Sequence, residues 1–591
     1  MSTRTAHSAR GAEARLLVVA LLAALLPALL AYNVSPSPTY LNQALAVAGW
    51  ALFAASSGCL LRFTRARPIL DMAIFGVVAG ALISWLANHL PSSLALSSLC
   101  MLAVAAFVTV GGRAAGQQAF HAFALAWVAA GAINAAIALL QVFAPDVTDG
   151  MFIATSGLPG RAVGNLRQPN HLSSLLLWSC IAVIALHELG RLRRAYAIPL
   201  LTAFVFAVVL TASRTGLVSV ALLALWGLAD RRLSKPARLL LLAAPVVYAL
   251  SWWLMVLWAD LSQHSFGGSQ RIAEADVSSS RLAIWRDTLA LIRMHPWTGV
   301  GLGEFNFAWT LTPLPNRPTA FFDHTHNLPL QLLVELGIPI GGAILALLSW
   351  ALWLGFRQAW SYQPAARSTA QRCAMLMVLM IGLHSLLEYP LWYSYFLLPA
   401  AWAWGFALQP GQGDDVAEAT PRTKGSPWLQ VASAAVVLGV VFSVFDYLRV
   451  AAIFTASDDA PPLAQRIAAG QGSVFFAHHA DYAAVTAGLP VADPSTAFDR
   501  ATHYLLDTRL MTAWAKSLAE RGQMDHARHI AQRMREFRKA ESEEIFAVCD
   551  AIPAAAAQPA AAASEPSQAL PFQCQPPQRQ LSWRDFLPAS R

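Results

Sequence analysis

The sequence has few charged residues for its length. Only 13% of its 591 residues are Asp, Glu, Lys or Arg, and 56% are hydrophobic, whereas a soluble globular chain averages about 25% charged residues. So little charge cannot cover a water-facing surface of this size, which excludes an ordinary soluble protein. The mean hydropathy of +0.48 instead indicates a chain dissolved in lipid, and its 20 tryptophans are typical of membrane interfaces.

Cysteine is also scarce, and the six thiols do not form the framework of a disulfide-rich domain. Four of them lie in apolar stretches, where an isolated thiol behaves as a small hydrophobic side chain: Cys59, Cys100, Cys180 and Cys373. Cys549 and Cys574 lie in a polar C-terminal part and are able to pair if that part is in an oxidising compartment.

The excess of basic residues gives a pI near 9.4, which raises the question of nucleic-acid binding. The arginines and lysines lie in short clusters between apolar runs rather than along one stripe. This distribution is a signal of membrane topology, so we expect no nucleic-acid partner.

Long apolar runs predict an all-α polytopic membrane protein, since a spanning helix needs about 20 mostly apolar residues. Thirteen candidate spans are found at 15–33, 43–61, 69–89, 93–110, 119–145, 171–189, 196–212, 215–229, 238–259, 328–356, 371–387, 391–409 and 428–447. The run from Tyr196 to Asp230 is too long for one span and short for two. The polar Ser213-Arg214-Thr215-Gly216 in its middle favours two short spans joined by a tight turn.

The orientation follows from the basic residues of the loops. The N-terminus and the loops after the even-numbered spans hold most of them, which predicts a cytoplasmic N-terminus and an uncleaved first span. With thirteen spans, the C-terminal region is then periplasmic.

The expected domains follow from the longest loop and from the fall in hydropathy after Tyr447. They are N-terminal transmembrane helices (1–260), a large periplasmic loop (261–327), C-terminal transmembrane helices (328–447), a helical periplasmic domain with a tetratricopeptide-like hairpin (448–550) and a disordered Ala/Pro-rich tail (551–591). Loops as long as the one in this chain are usually functional. Within the tail, Trp583 and Phe586 are the residues that we expect to be able to dock.

Five unusual polar clusters all fall in odd-numbered loops, and therefore on one face of the membrane. They are Arg161 with the segment 164–171, the segment 213–216, the segment 278–287, the segment 323–327, and His384 with the segment 388–390. The other loops carry little beyond arginines, and a purely structural protein has no reason to segregate polar residues in this way.

Three arginines of these clusters are candidates for binding a diphosphate. Arginine presents a planar fork of donors and stays charged near neutrality. Arg214 lies at the mouth between two short spans, and Arg281 is expected to open a helix after a serine-rich cap, where a positive helix end also attracts phosphate. Arg286 is secondary because it points elsewhere around the same helix. The structural alternatives are a snorkelling arginine for Arg214 and solvated helix-face arginines for the other two.

His324 and His326 form an H-x-H pair whose alternatives are a metal site, a helix cap or catalysis. A metal is disfavoured because no third and fourth ligand stand at suitable spacing, and an imidazole at the head of a buried span can carry a proton. His384 and Glu388 lie one helical turn apart, and Glu388 is either a functional carboxylate or a buried partner for an arginine. The glycine-rich segment 299–303 resembles a phosphate loop only superficially and is expected to be a turn.

The segment HNLPLQLLVELG at 326–337 resembles the signature of the O-antigen ligase and polymerase superfamily, in which a histidine heads the helix after a large periplasmic loop. SRLAIW at 280–285 and HPWTGVG at 295–301 resemble the opening of that loop. GNLRQPNH at 164–171 and HSLLEYPLW at 384–392 resemble the PglL-type protein O-oligosaccharyltransferases. The resemblance covers residues 150–450 well and the remainder loosely.

This resemblance implies a GT-C-like architecture in the bacterial inner membrane and a reaction at the periplasmic face. A preassembled glycan on undecaprenyl diphosphate is transferred to Ser or Thr hydroxyls of an exported, pilin-like acceptor protein, without a cofactor or a metal. Under this hypothesis the catalytic residues are His326, Arg281 and Arg214. The residues assigned to substrate binding are Arg286, Arg161, Arg167, Gln168, His171, Asn327, His324, Glu388 and His384.

Four other functions stay open at this point. A lipopolysaccharide O-antigen ligase and an O-antigen polymerase share the donor and the site chemistry, although the C-terminal extension and the segment 168–171 favour a protein acceptor. A non-enzymatic transporter of lipid-linked glycans predicts charged residues near mid-span and internal repeats, and neither is clear in the sequence. A membrane scaffold that uses only the helical C-terminal part is the last alternative.

Overall fold

The computed structural model describes residues 3–57, 68–88, 90–269, 276–315, 317–361, 365–409, 427–489, 493–537, 542–550 and 570–587. These residues form α-helices and short 3-10 turns, and no β-strand occurs among them. The longer helices are α1 (Thr3–Leu29), α2 (Tyr40–Ser57), α3 (Ile69–Ala87), α4 (Ser92–Ala114), α5 (Gln117–Phe143), α6 (Pro169–Glu188), α7 (Arg194–Leu210), α8 (Arg214–Ala229), α9 (Lys235–Ser262), α10 (Asp276–Met294), α11 (Phe305–Leu311), α12 (Leu328–Ala359), α13 (Ala365–Ser385), α14 (Ser394–Ala407), α15 (Pro427–Phe454), α16 (Leu463–Gln471), α17 (Ala477–Thr486), α18 (Pro494–Ala501), α19 (Thr508–Glu520), α20 (Met524–Phe537) and α21 (Glu543–Asp550).

Each of the thirteen segments expected to span the membrane coincides with one of these helices. In the described part of the chain, eight helices are long and apolar enough to cross a bilayer. They are α1 from Gly11 onwards, α3, α4, α5, α6, α9, α12 and α15. The protein is therefore a polytopic, all-helical membrane protein, and the count of thirteen spans stays a prediction.

The expected turn between two short apolar helices is present at Ser213. Helix α7 ends at Leu210, and α8 begins at Arg214. The chain reverses through Ala212, which adopts a left-handed backbone with φ of 49°. The Ser213 side chain then accepts a hydrogen bond from the Gly216 amide and caps the new helix.

The segment expected to form one span from residue 328 is broken at Gly337. This glycine has non-helical backbone angles (φ 73°, ψ 169°) and separates a first short helix from the apolar helix that begins at Ile338. A loop packs into the break, because the amides of Val300 and Gly301 donate to the carbonyls of Val334 and Glu335 at 2.9 Å. A side chain at Gly337 would meet the backbone of residue 297, so the backbones pack too closely there for any residue but glycine.

The chain forms two compact units whose segments alternate along the sequence. Unit 1 comprises residues 1–74, 100–275 and 346–445, and unit 2 comprises 75–99, 276–345 and 446–591. Within unit 1 the centre is α6, in which every residue from Pro169 to Leu186 is buried. It packs against α5, α7, α8 and α13, so other helices surround it.

Unit 2 joins segments that the sequence suggested were separate domains. Leu291 of α10 and Trp309 of α11 share one hydrophobic core with Leu510 and Trp514 of α19 and Ile530 of α20. The large loop and the C-terminal helices are therefore one folded body. The sequence missed this because hydropathy identifies each segment separately but carries no information on packing between distant segments.

The C-terminal helices contain the expected hairpin, in which α19 and α20 pack together around a left-handed Gly522. The tail differs from the expectation of disorder. Residues 570–587 form two short 3-10 turns, and the expected docking of Trp583 and Phe586 is confirmed because both are buried in the core of unit 2. A disulfide joins Cys549 to Cys574. Most of the remaining tail, 551–569, and Cys59 lie outside the described residues.

Candidate functional site

Unit 1 brings three of the five polar clusters into direct contact around Asn170, at the start of α6. The side-chain oxygen Oδ1 of Asn170 accepts hydrogen bonds from Ser213 Oγ at 2.6 Å and Thr215 Oγ1 at 3.3 Å. Its amide group donates to Glu388 Oε1 at 3.2 Å. These residues and Ser173, which donates to Ser213, are called the inner polar network. All of them are buried.

Two histidines of the same clusters lie beside this network. His384 is buried, with Nδ1 2.8 Å from Ser174 Oγ. The ring of His171 packs edge-on against Tyr393 at 4.5 Å between centroids, and its Nδ1 lies 3.1 Å from the Tyr395 hydroxyl. Because both imidazoles are enclosed by protein, they are placed to hold the network in position rather than to touch a large glycan directly.

The remaining substrate-binding candidates of unit 1 also contact protein groups. Arg161 is buried and donates through Nε to the Thr211 carbonyl at 3.1 Å. Arg167 is exposed, has a left-handed backbone with φ of 58°, and donates to the Ala31 carbonyl at 2.7 Å. Gln168 caps α6 by accepting a hydrogen bond from the His171 amide at 2.7 Å. Their common effect is to fix the entry of α6.

Arg214 is the first residue of α8 and is exposed. Its two neighbours in sequence, Ser213 and Thr215, are both tied to Asn170. The inner polar network therefore fixes the backbone on both sides of Arg214 and directs its guanidinium outward. A cation at a helix N-terminus, where backbone amides also point outward, forms a site suited to an anion.

In unit 2, His326 occupies a strained position just before α12. Its backbone is left-handed, with φ of 53°, which is uncommon for any residue other than glycine. The ring is half-buried and packs edge-on against Phe322, with 5.5 Å between centroids. Strained backbones of this kind cluster at functional sites, because the surrounding structure must hold them there.

A chain of hydrogen bonds holds this strained loop, and it runs through residues that were not among the predicted site residues. The Thr325 amide donates to Gln331 Oε1 at 2.8 Å, and Gln331 Nε2 donates to Glu335 Oε1 at 2.9 Å. The same Glu335 oxygen accepts from the Gly303 amide at 3.0 Å. Gln331 and Glu335 stand one turn apart inside the segment 326–337, which is the sequence signal that could have identified them.

Two polar residues close to His326, Asn327 and His324, make different contacts. Asn327 accepts a hydrogen bond from the Leu330 amide and so caps α12. His324 Nδ1 lies 2.9 Å from Asp323 Oδ1. Burial by itself raises the pKa of Asp323, but the hydrogen bond and charge of His324, with a further contribution from His326, bring that pKa below its ordinary value. A carboxylate thus stays charged within electrostatic reach of both imidazoles.

Helix α10 connects the third polar cluster with the histidine loop, since Trp285 Nε1 donates to the Thr325 carbonyl at 2.9 Å. The expectation that Arg281 opens this helix is wrong. The helix already begins at Asp276, so Arg281 lies in its second turn and gains little from the helix end. Arg286 donates to buried Asp287, with its Nη2 3.1 Å from Oδ1. Arg286 is therefore engaged by a protein carboxylate.

Two ion pairs tie the loop of unit 2 to its C-terminal helices, and neither was predictable from the sequence. Arg317 donates to Glu536 Oε2 at 2.9 Å and lies over the Trp309 ring at 4.7 Å. His503 Nδ1 lies 2.8 Å from Glu304. Each pair joins residues about 200 positions apart in sequence, so no local pattern reports them.

Among the residues that the structure describes, no group of three or more His, Cys, Asp or Glu is arranged to hold a metal ion. The groups that are present supply permanent cations, an accessible imidazole and a charged carboxylate. Within unit 2, Arg281, His326 and Asp323 can bind an anionic group and move a proton, and within unit 1 Arg214 can bind an anion.

Comparison with known families places matches on these same segments. Residues 199–345, which include Arg214, Arg281 and His326, match the family described as O-antigen ligase. Residues 373–547 match the C-terminal family of virulence factor membrane-bound polymerases, and residues 162–187 match the protein glycosylation ligase family. The third match covers the start of α6, with Asn170 and Ser173 of the inner polar network.

Two curated proteins of Acinetobacter baylyi are similar to part of the chain. One is a "General O-oligosaccharyltransferase", 31% identical over 272 residues, and the other is a "ComP-specific O-oligosaccharyltransferase", 26% identical over 269 residues. Each alignment covers 44% of this chain and 46% of the relative, so the chain spans about half the length of the curated relatives it matches. Together with the family matches, these similarities relate the chain to the O-antigen ligase family and support a PglL-type protein O-oligosaccharyltransferase.

Proposed function

We propose that the chain transfers a preassembled glycan from undecaprenyl diphosphate to Ser or Thr hydroxyls of exported, pilin-like proteins at the periplasmic face of the inner membrane. The observation that carries this proposal is the strained, accessible His326, held by Gln331 and Glu335 inside the segment that matches the O-antigen ligase family. The curated relatives are named as O-oligosaccharyltransferases, which supports a protein acceptor.

The chemistry requires a cation at the leaving group. In the transfer, the bond between the anomeric carbon and the diphosphate oxygen breaks, and a bond from the anomeric carbon to the acceptor oxygen forms. Negative charge develops on the departing diphosphate, and fixed guanidinium groups stabilise that charge more than they stabilise the bound substrate. We assign this role to Arg281 and Arg214, with Arg286 secondary.

His326 is assigned to the proton of the reaction. The acceptor hydroxyl loses its proton as it attacks, and a neutral imidazole nearby can take it. The charged carboxylate of Asp323 would then stabilise the imidazolium, and His324 would hold that carboxylate in place. Alternatively, His326 orients the hydroxyl, and the departing diphosphate takes the proton.

The other predicted site residues are assigned to substrate binding through position. Asn327 fixes the loop of His326, and Arg161, Gln168, His171, His384 and Glu388 fix the α6 entry and the Arg214 turn. Arg167 is exposed at the rim of that entry and is the one of these that we expect to contact the glycan or the acceptor.

The disulfide supports the proposed side of the membrane. Disulfides form and persist in oxidising compartments such as the bacterial periplasm. Cys549 and Cys574 are paired, and both belong to unit 2, which also contains Arg281 and His326. This supports a periplasmic location for that unit.

A lipopolysaccharide O-antigen ligase is the second candidate, because the match at 199–345 carries that description. Deletion of the gene separates the two functions. Mass spectrometry of periplasmic proteins should show that protein-linked glycan disappears, while lipopolysaccharide retains its O-antigen. Loss of O-antigen with unchanged protein glycosylation would establish the ligase instead, and loss of neither would favour a transporter or scaffold.

A further inference from the structure

Helix α10 presents two opposite faces. Ile284, Leu291 and Ile292 are buried in the core of unit 2. On the other side, Leu282 is 64% exposed and Leu289 is 43% exposed. Arg286 and Arg293 are also exposed, and at 100° per residue they lie with Leu282 and Leu289 within an arc of about 60°. These four residues are called the outer face of α10.

The outer face carries two arginines, of which Arg286 is paired with the buried Asp287 and Arg293 adds its positive charge beside the leucines. From Arg281 to Met294 the one acidic residue is Asp287, and it is buried. A face that mixes leucine with arginine is typical of helices that lie in the plane of a membrane surface, where the leucines enter the acyl boundary and the arginines meet anionic headgroups.

A second observation places the C-terminal end of α10 at a lipid boundary. The Ile338 amide, where the apolar part of α12 begins, donates to the Pro296 carbonyl at 2.7 Å. Ile338 is 51% exposed, as expected for the first turn of a span that faces lipid. Trp297, next to this junction, is 77% exposed, and exposed tryptophan is enriched at the membrane interface.

We propose that the outer face of α10 rests on the anionic headgroup surface of the membrane from which α12 emerges. This surface is defined by charge and exposure alone, so it does not depend on the transfer reaction. If the proposed function also holds, Arg281 lies on the same helix, about 80° round from Leu289, and is held near the membrane surface, where the diphosphate of a lipid-linked donor is found.

The test uses the full-length protein in nanodiscs of phosphatidylethanolamine and phosphatidylglycerol. The four cysteines outside the disulfide are replaced by alanine, and one cysteine with an environment-sensitive fluorophore is placed at Leu289. Met524 on α20 is the matched control, because it is also apolar and 43% exposed. No donor or acceptor is added, so the result is independent of catalysis.

We expect the label at 289 to emit at shorter wavelength than the label at 524 and to be quenched by nitroxide-bearing acyl chains. In the same background, Arg293→Gln should weaken this quenching in phosphatidylglycerol bilayers but not in phosphatidylcholine bilayers. A label at 289 that behaves as the one at 524 would overturn the proposal. In a separate measurement an exported acceptor protein is added, and protection that appears only then would also overturn the proposal, because it would assign this face to the acceptor.

A label at Trp297 provides a second position if Leu289→Cys does not fold. It should be quenched at shallower depth, by nitroxides attached near the headgroup. An aqueous spectrum at 297 in a folded protein would equally contradict the proposal.

Discussion

The imidazole of His503 contacts the carboxylate of Glu304, with Nδ1 2.8 Å from both of its oxygens and both side chains almost fully buried. The pair joins the loop of unit 2 to its C-terminal helices. Burial by itself lowers the pKa of His503. The charge and hydrogen bond of the Glu304 carboxylate raise that pKa by more than burial lowers it, so it lies above its ordinary value of 6.5.

This pair predicts that the stability of unit 2 depends on pH. Because the folded-state pKa of His503 is raised, its protonated form stabilises the fold fully below pH 6.5, and this stabilisation is lost as the pH rises through the raised pKa. The Tm of the detergent-solubilised protein should therefore fall over that range. Glu304→Gln should lower the Tm at acidic pH, by an amount corresponding to about 3 kcal/mol, and should flatten the profile.

Glu520→Gln is the control for that measurement, since Glu520 is exposed at the end of α19. Its pH profile should follow that of the wild type. Parallel profiles for Glu304→Gln and the wild type would show that the pair does not govern the pH dependence.

The left-handed backbone of His326 allows its structural role in the loop to be separated from its proposed role in glycan transfer. Asparagine tolerates this conformation, so His326→Asn should reach normal membrane abundance and lose glycan transfer by about a hundredfold or more, the usual contribution of a general base. His326→Val should in addition reduce folded protein, because a β-branched residue is strained there. Undiminished transfer by the asparagine variant would remove His326 from the mechanism.

Arg281 and Arg286 lie about 140° apart around α10, which predicts unequal effects of substitution. Arg281→Lys should raise the KM for the lipid-linked donor or reduce turnover by about tenfold, because lysine lacks the bidentate fork. Arg286→Lys should change either value less, since Arg286 already pairs with Asp287. The measurement is transfer in vitro with purified donor and an acceptor peptide, and equal losses would contradict the assignment.

Asn170 predicts a remote effect on Arg214. Asn170→Leu leaves the hydroxyls of Ser213 and Thr215 without their shared acceptor, which frees the backbone around Arg214. We expect a higher KM for the donor at nearly normal abundance. If Asn170→Leu raises the KM in the wild-type background but causes no further increase in the Arg214→Ala background, its effect on donor binding acts through Arg214. Additive losses would indicate independent roles.

The disulfide gives a prediction on compartment and stability. It closes a loop of 25 residues, for which the loss of chain entropy corresponds to about 3 kcal/mol. Cys574→Ser should therefore lower the Tm of unit 2, with Cys100→Ser as the control in the same experiment. A thiol reagent added to whole cells should not label the wild-type pair before reduction. Immediate labelling of Cys549 in the wild type would place it in a reducing compartment.

Helix positions were predictable because apolar runs of spanning length and the Ser213 interruption are local features of the sequence. The sequence also identified which residues are unusual, and unit 1 indeed brings Asn170, Ser213 and Glu388 into contact. Their burial was not predictable, since the same polar residues can line a cleft or fill the space between helices. The break at Gly337 was missed because the apolar pattern continues through it.

In unit 2, the sequence pointed to His326 but not to the residues that hold it. Gln331 and Glu335 were visible within the signature, yet their partners at residues 325 and 303 come from loops whose path no periodic pattern fixes. The pairs Arg317–Glu536 and Glu304–His503 were beyond reach for the same reason.

The common core of the loop and the C-terminal helices limits how family members can be recombined. A chimera that exchanges residues 446–591 alone would place a foreign surface against Trp309, Glu304 and Arg317. The C-terminal part should therefore be exchangeable between relatives, with the fold retained, only when residues 276–345 are exchanged together with it.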